Sequence, residues 1–250
     1  MINKRRGFTM IEVALFLAIT GLLFAGVMVG VQNSIFQQRF NDSVQNFAEF
    51  LRTAYSGVTN VQNTHGGVSD YAIYGKLITF GIEKGNGDRN LIYSYDVIGE
   101  VAGNDDGGTT LEALERLGAG VAKEGLTERY SPRWGASIEK TDGYEPFVGA
   151  VLIVRHPTTG VLRTFVEVGN EIDVNKLDTS EHPEIAKIDF KNFVTVEGEV
   201  EGEVDFCINP IAGEIRNNRR DVKIAGGATN GSGVLIIPEE AKDNKCIKKD

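Results

Sequence analysis

Residues 8–31 read FTMIEVALFLAITGLLFAGVMVGV, an unbroken apolar run with one charge, Glu12, and Lys4, Arg5, Arg6 and Gly7 stand immediately before it. An α-helix rises about 1.5 Å per residue, so a helix over this run reaches roughly 36 Å and crosses a hydrocarbon core of about 30 Å with some tilt. The basic residues bias the short N-terminus toward the cytoplasm and send the remainder across the membrane. A secretory signal has a shorter apolar core followed by a small-residue cleavage site, whereas here the small residue, Gly7, comes first. An ionised side chain inside a membrane helix costs about 2.5–3.5 kcal/mol at the helix centre, less near an end, and so marks a function. Glu12 calls for a cationic partner, and the run holds no Lys or Arg.

Gly7-Phe8-Thr9-Met10-Ile11-Glu12-Val13, behind a basic leader and ahead of an apolar helix, resembles the processing signal of type IV prepilins and type II secretion pseudopilins. The resemblance covers about the first 30 residues and implies several things. A prepilin peptidase cuts between Gly7 and Phe8, Phe8 becomes the N-methylated terminus, and Glu12 faces the amine of a neighbouring subunit. The chain is then a structural subunit, a minor pilin or pseudopilin, whose partners are other pilin subunits and an inner-membrane assembly platform. It starts as a single-pass membrane protein with its N-terminus cytoplasmic and its head extracytoplasmic, and ends in a filament or pseudopilus at the cell surface. Many members of this family carry a helix-kinking proline late in the run; here only Gly21, Gly26 and Gly30 could serve local melting. The alternative is an uncleaved anchor holding a membrane-tethered binding ectodomain.

Past the run, Phe36, Phe40, Val44, Phe47, Leu51 and Tyr55 keep a spacing of three and four, the stripe of an amphipathic helix. No proline or paired glycine intervenes, so one helix is expected from about Phe8 to Thr59, with a coiled-coil stalk as the lesser alternative. The fold class is α+β: a long N-terminal helix, transmembrane over 8–31 and amphipathic over 32–59, packed on a β-rich, mainly antiparallel head over 66–250, with residues 1–7 as leader.

In the head, YAIYGKLITF and NLIYSYDVIG flank Gly85 to Asp88, a hairpin signal, and FVGAVLIVR and VLRTFVEV flank His156 to Gly160, a second one. Thr110 to Leu117 predicts a short helix capped by Thr109 or Thr110. Residues 118–146 give no clear pattern. Phe193 to Cys207 alternates, with Glu197, Glu199, Glu201, Glu203 and Asp205 on one side and Val196, Val200, Val204 and Phe206 on the other, which reads as one strand with a solvated acidic face. Shorter closing strands are expected over 207–216, 222–225 and 234–237.

The formal charge is −9, and loss of Lys4, Arg5 and Arg6 with the leader takes it to −12. An acidic surface of this size disfavours nucleic acid as a general partner. Same-face carboxylates about 6.5–7 Å apart along a strand are too sparse for a tight ion site, and Asn104 to Gly107 lacks the alternate ligands and final glutamate of an EF-hand loop. His65, His156 and His182 show no metal spacing, no serine lies in a nucleophile elbow, and the glycine-rich pieces match no phosphate-binding loop. Neither catalysis nor a metal or cofactor is expected.

Cys207 and Cys246 are the two cysteines, both in the part expected outside the cytoplasm, where disulfides persist. Closing a loop of about 40 residues is worth roughly 4 kcal/mol in the chain-entropy treatment. The pair resembles the C-terminal disulfide loop of many pilins, with two unrelated thiols as the other reading. Within that loop Arg216, Arg219 and Arg220 resemble the arginine hairpin of minor pilins that capture DNA, although Glu214 stands where that motif prefers arginine. An ordinary exposed turn is the competing reading.

Overall fold

The computed structural model describes residues 9–60, 71–81, 91–101, 108–122, 128–139, 148–168, 172, 177, 185–195, 203–210, 219–238 and 246. Its first element is one helix, α1 (Met10–Thr59), which runs without interruption through Gly21, Gly26 and Gly30. The chain divides into two compact units, residues 1–42 and 43–250. In the first, the apolar side chains from Met10 to Val31 are exposed on all sides of α1, which is long and apolar enough to cross a membrane. Thr20 returns its hydroxyl proton to the Phe16 carbonyl at 2.7 Å, so the helix satisfies that polar group itself.

In the second unit the amphipathic stripe does what its spacing predicts: Val44, Phe47, Leu51, Tyr55 and Val58 are buried. They meet two antiparallel sheets. The first contains β1 (Tyr71–Gly81), β2 (Leu91–Glu100), β3 (Gly120–Ala122), β4 (Glu128–Tyr130), β6 (Val148–Arg155), β7 (Leu162–Val168), β8 (Ile185–Lys187) and β9 (Phe193–Thr195). Their order is β8-β3-β2-β1-β6-β7-β9, with β4 also on β2. The second sheet has the order β12-β11-β10-β5, from β5 (Ser137–Glu139), β10 (Glu203–Asn209), β11 (Arg220–Ala225) and β12 (Val234–Ile237). Both expected hairpins are present, as β1–β2 and β6–β7. The turn at Gly85 to Asp88 lies outside the described residues. At the other turn Gly160 takes a positive φ of 69°, and the His156 amide donates to the Val161 carbonyl at 2.8 Å.

β6 reads as a continuous apolar run because both faces of its sheet are covered. On one side Leu77, Val97, Leu152 and Phe165 pack with Leu114 of α2 (Thr110–Arg116) and with Phe190. On the other, Phe47 of α1 meets Phe80 of β1, Tyr130 of β4 and Phe206 of β10, with ring centroids 6.5, 6.0 and 5.6 Å apart. One aromatic side chain therefore touches both sheets. Close strand approach has its own requirement: at the β1 bulge, a Cβ on Gly75 would collide with the Ile153 carbonyl oxygen.

The acidic stretch is a correction. The two described ends of Phe193 to Cys207 belong to different sheets, β9 pairing with β7 in the first and β10 with β11 in the second. Alternation survives in β10, where Val204 and Phe206 are buried and face away from Glu203 and Asp205. Glu197, Glu199 and Glu201 lie outside the described residues. The illegible 118–146 stretch holds β3, β4 and β5, each too short to show a period. The closing strand expected over 207–216 instead starts at Glu203 and ends at Asn209.

Tyr55 locks α1 to the head. Its hydroxyl lies 2.7 Å from Thr164 Oγ1, and Thr164 donates to the Ala228 carbonyl at 3.3 Å, so Tyr55 is the donor in their pair. Burial pushes the Tyr55 phenol up to about 12, against the smaller opposite pull of the Thr164 hydrogen bond. A raised folded-state pKa means that this contribution is complete below pH 10 and is lost as pH rises toward about 12. Tyr55→Phe is expected to cost about 1 kcal/mol at pH 7. It should also flatten part of the alkaline fall in stability, leaving the share of Tyr130, which burial likewise raises to about 12. Urea titrations at pH 7, 10 and 11.5 check both; an unchanged alkaline slope would refute the assignment to Tyr55.

Candidate functional site

The charge in the apolar run is held locally. Thr9-Met10-Ile11-Glu12 has the Thr-x-x-Glu spacing of a capping box, in which the N-cap hydroxyl and the third-position carboxylate satisfy each other's backbone amides. Glu12 Oε2 accepts from the Thr9 amide and from the Thr9 hydroxyl, both at 2.9 Å. The Glu12 amide donates to Thr9 Oγ1 at 3.3 Å, and the Val13 amide to the Thr9 carbonyl at 3.2 Å. The same device starts α2, where the Thr109 amide donates to Glu112 Oε2 at 2.9 Å and the Glu112 amide to Thr109 Oγ1 at 3.3 Å. Among the described residues, Glu12 Oε1 accepts no hydrogen bond.

This geometry changes the reading of Glu12. The carboxylate does not depend on another subunit for all of its hydrogen bonds, because Thr9 supplies two of them. Of the two expected cap positions, Thr109 and Thr110, the structure uses Thr109, and Thr9 has the identical Thr-x-x-Glu spacing. Gly7 and Phe8, the expected processing pair, lie outside the described residues.

At the other end of the chain Cys207 and Cys246 form a disulfide, with Cα atoms 5.4 Å apart. It ties the C-terminal segment to β10. Arg219 Nη1 donates to the Cys246 carbonyl at 3.4 Å, and Arg220 is half-buried in β11 opposite Ile208. Arg216 lies outside the described residues. The structure thus uses Arg219 to hold the disulfide segment.

The acidic face of β10 is not simply solvated. Lys223 of β11 stands opposite Asp205 and is only 4% exposed. Its Nζ lies 2.7 Å from Glu203 Oε2 and 3.6 Å from Asp205 Oδ1. Burial pulls the Lys223 ammonium down, but the Glu203 hydrogen bond and the charges of Asp205, Glu203 and Asp221 outweigh it, so its pKa lies above the ordinary lysine value. The alternation of Asp221-Val222-Lys223-Ile224 was a legible sign that Lys223 shares a face with the carboxylates. Elsewhere, His156 Nδ1 accepts the Thr158 and Thr159 amides at 3.2 Å each, which makes it a turn-stabilising residue. No cluster of three or more metal-ligating side chains occurs among the described residues. His65, His182 and Asn104 to Gly107 lie outside them.

Removing a buried partner leaves opposing charges uncompensated, which costs about 3 kcal/mol or more, whereas an exposed partner is worth under about 1 kcal/mol. Lys223→Met is therefore expected to destabilise the protein several-fold more than Glu203→Gln. Denaturant midpoints measure the difference; equal effects would mean that Lys223 is not the centre of the cluster.

Residues 2–28 match the family model for the prokaryotic N-terminal methylation motif. That match supports a type IV pilin or pseudopilin-type protein, and the apolar, exposed first part of α1 fits a membrane-anchored one. No curated protein and no solved structure matches the chain significantly.

Proposed function

We propose that this chain, a type IV pilin or pseudopilin-type protein by its N-terminal motif, is a structural, non-catalytic subunit of a pilus-like or type II secretion filament. A prepilin peptidase frees it between Gly7 and Phe8, and an inner-membrane platform then moves α1 from the bilayer into a bundle of other pilin-type helices. The head size suits a minor pilin or pseudopilin. The observation that carries the assembly step is the half-filled carboxylate of Glu12. Oε2 is held by Thr9, which fixes its direction, while Oε1 accepts nothing among the described residues on an exposed apolar helix. A neighbour's Phe8 amine supplies both the missing hydrogen bond and the opposite charge, and a misregistered subunit keeps an unpaired ion in an apolar bundle. DNA capture is the weaker reading, since Arg219 is already committed to the Cys246 carbonyl.

Glu12→Ala removes the cap and the charge together, so it cannot separate them. Glutamine also serves at the third position of a capping box. Glu12→Gln therefore retains the cap and loses the charge. Both variants are expected to lose the leader at the wild-type rate and both to be missing from sheared filaments to a similar degree, measured by mass spectrometry and by quantitative blotting. A Glu12→Gln subunit that enters filaments as well as wild type would assign Glu12 to helix capping alone and refute the charge pairing.

A further inference from the structure

Lys76 of β1 lies against α1, and two carboxylates meet it there. It stands directly opposite Asp96 of β2 in the strand register, with Nζ 3.2 Å from Asp96 Oδ1, and the two side chains are only 13% and 11% exposed. Glu128 of β4, which pairs with Ser94 of β2, brings Oε1 to 3.8 Å from the same nitrogen. Gly57 of α1 leaves room for the lysine stem: a Cβ there would stand 2.9 Å from Lys76 Cε, well inside the optimal carbon–carbon separation of about 3.5–4.0 Å.

The surroundings are apolar. Ile153 of β6 is the other strand partner of Lys76, Ile78 follows it on the same face, and both are fully buried. Ser94 shares the face of Asp96 two residues on; it is buried, and its hydroxyl has no hydrogen-bond partner among the described residues. An ion pair in such a place is costly, because desolvation of both charges offsets their attraction. An amide made from the same two groups carries no charge. An amine, a carboxyl group and a second carboxylate gathered at one nitrogen are the parts that its formation needs.

We propose that Lys76 and Asp96 condense into an intramolecular amide that ties β1 to β2, with Glu128 as the proton carrier. One ammonium proton moves to the Asp96 carboxylate, which leaves an amine and an acid. The amine lone pair forms the Nζ–Cγ bond, a second nitrogen proton passes through Glu128 to the Asp96 hydroxyl, the Cγ–O bond breaks, and water departs. An ammonium and a carboxylate become an amide and one water, no other reactant is consumed, and Glu128 ends as it began. Ser94 is the spare donor on this face for the new carbonyl. Bulk water disfavours such a condensation, but groups held in position reach effective molarities of about 10⁵–10⁸ M, and the step removes a buried ion pair. Lys223 is the contrasting case: Glu203 at 2.7 Å and the charges of Asp205 and Asp221 hold its pKa above the ordinary lysine value, so its nitrogen keeps its protons. β1 is the first strand after α1, so tension along the helix enters the head where the amide lies. The linkage forms whether or not the chain joins a filament.

An amide survives denaturation and an ion pair does not, which supplies the test. Full-length protein is denatured, reduced, digested with trypsin and mapped by mass spectrometry. Trypsin does not cut after an acylated lysine, so the expected product is one branched peptide joining residues 53–84 to residues 90–116, lighter by one water than the two together. Lys76→Arg keeps the charge and forms no such amide, so its branched peptide should be absent. Glu128→Gln keeps the shape of the carrier and should slow the appearance of the branched peptide about a hundredfold, the scale of general acid–base catalysis, at matched times after synthesis. Wild-type protein cut normally after Lys76, or a water loss that maps to other residues, would overturn the proposal, and that result stands even where a variant fails to fold. A Glu128→Gln chain linked as fast as wild type would overturn the proton-carrier role on which the proposal depends.

Discussion

One 50-residue helix has to satisfy two solvents, and the rest of the molecule follows from how its side chains are divided between them. From Met10 to Val31 the apolar residues occupy every side of α1, which leaves no face for water. From Val44 onward they narrow to a stripe, and the polar residues between them, such as Gln45, Asn46 and Glu49, are exposed. The first pattern suits lipid or other helices. The second suits a globular core, where Phe47 meets both sheets and Tyr55 reaches through Thr164 to the Ala228 carbonyl.

Several polar groups placed in apolar settings are answered locally, although the buried Ser43 and Ser94 hydroxyls have no hydrogen-bond partner among the described residues. Thr20 is satisfied by its own helix, Tyr55 by the adjoining strand, and Lys223 by Glu203 and Asp205 on the strand beside it. Such groups are expensive when left unmatched and nearly neutral when matched, so each reads as a solved local problem. Glu12 differs in kind. Thr9 fills one carboxylate oxygen only, and the charge stays uncompensated within the described part of α1.

Long periodic elements were legible from residues alone. The three-and-four spacing of Val44, Phe47, Leu51 and Tyr55, the two hairpins and a helix start capped at Thr109 or Thr110 each depend on interactions a few residues apart, which a sequence records directly. The failures share a cause. β3, β4 and β5 are three residues long and are set by the strands they join, not by a period of their own. Phe193 to Cys207 alternates throughout, yet β9 and β10 belong to different sheets, because alternation reports which way side chains point and not which neighbour a strand has. Lys223 could be placed on a face but not recognised as the hub of three carboxylates.

Magnitudes separate the cap that Glu12 makes from its proposed charge pairing. A capping interaction is worth about 1 kcal/mol, and an ion in the apolar centre of a bilayer costs about 2.5–3.5 kcal/mol, less near the helix end where Glu12 lies. The Thr9 box therefore lowers the cost of holding the carboxylate in lipid without cancelling it. A residue retained only to start the helix would do so more cheaply as glutamine, which forms the same box and carries no charge. In the proposed assembly the excess cost of glutamate is released when a cation arrives, which would favour transfer of the helix beside another subunit's amine. Thr9, by fixing Oε2, limits the direction from which that cation can approach.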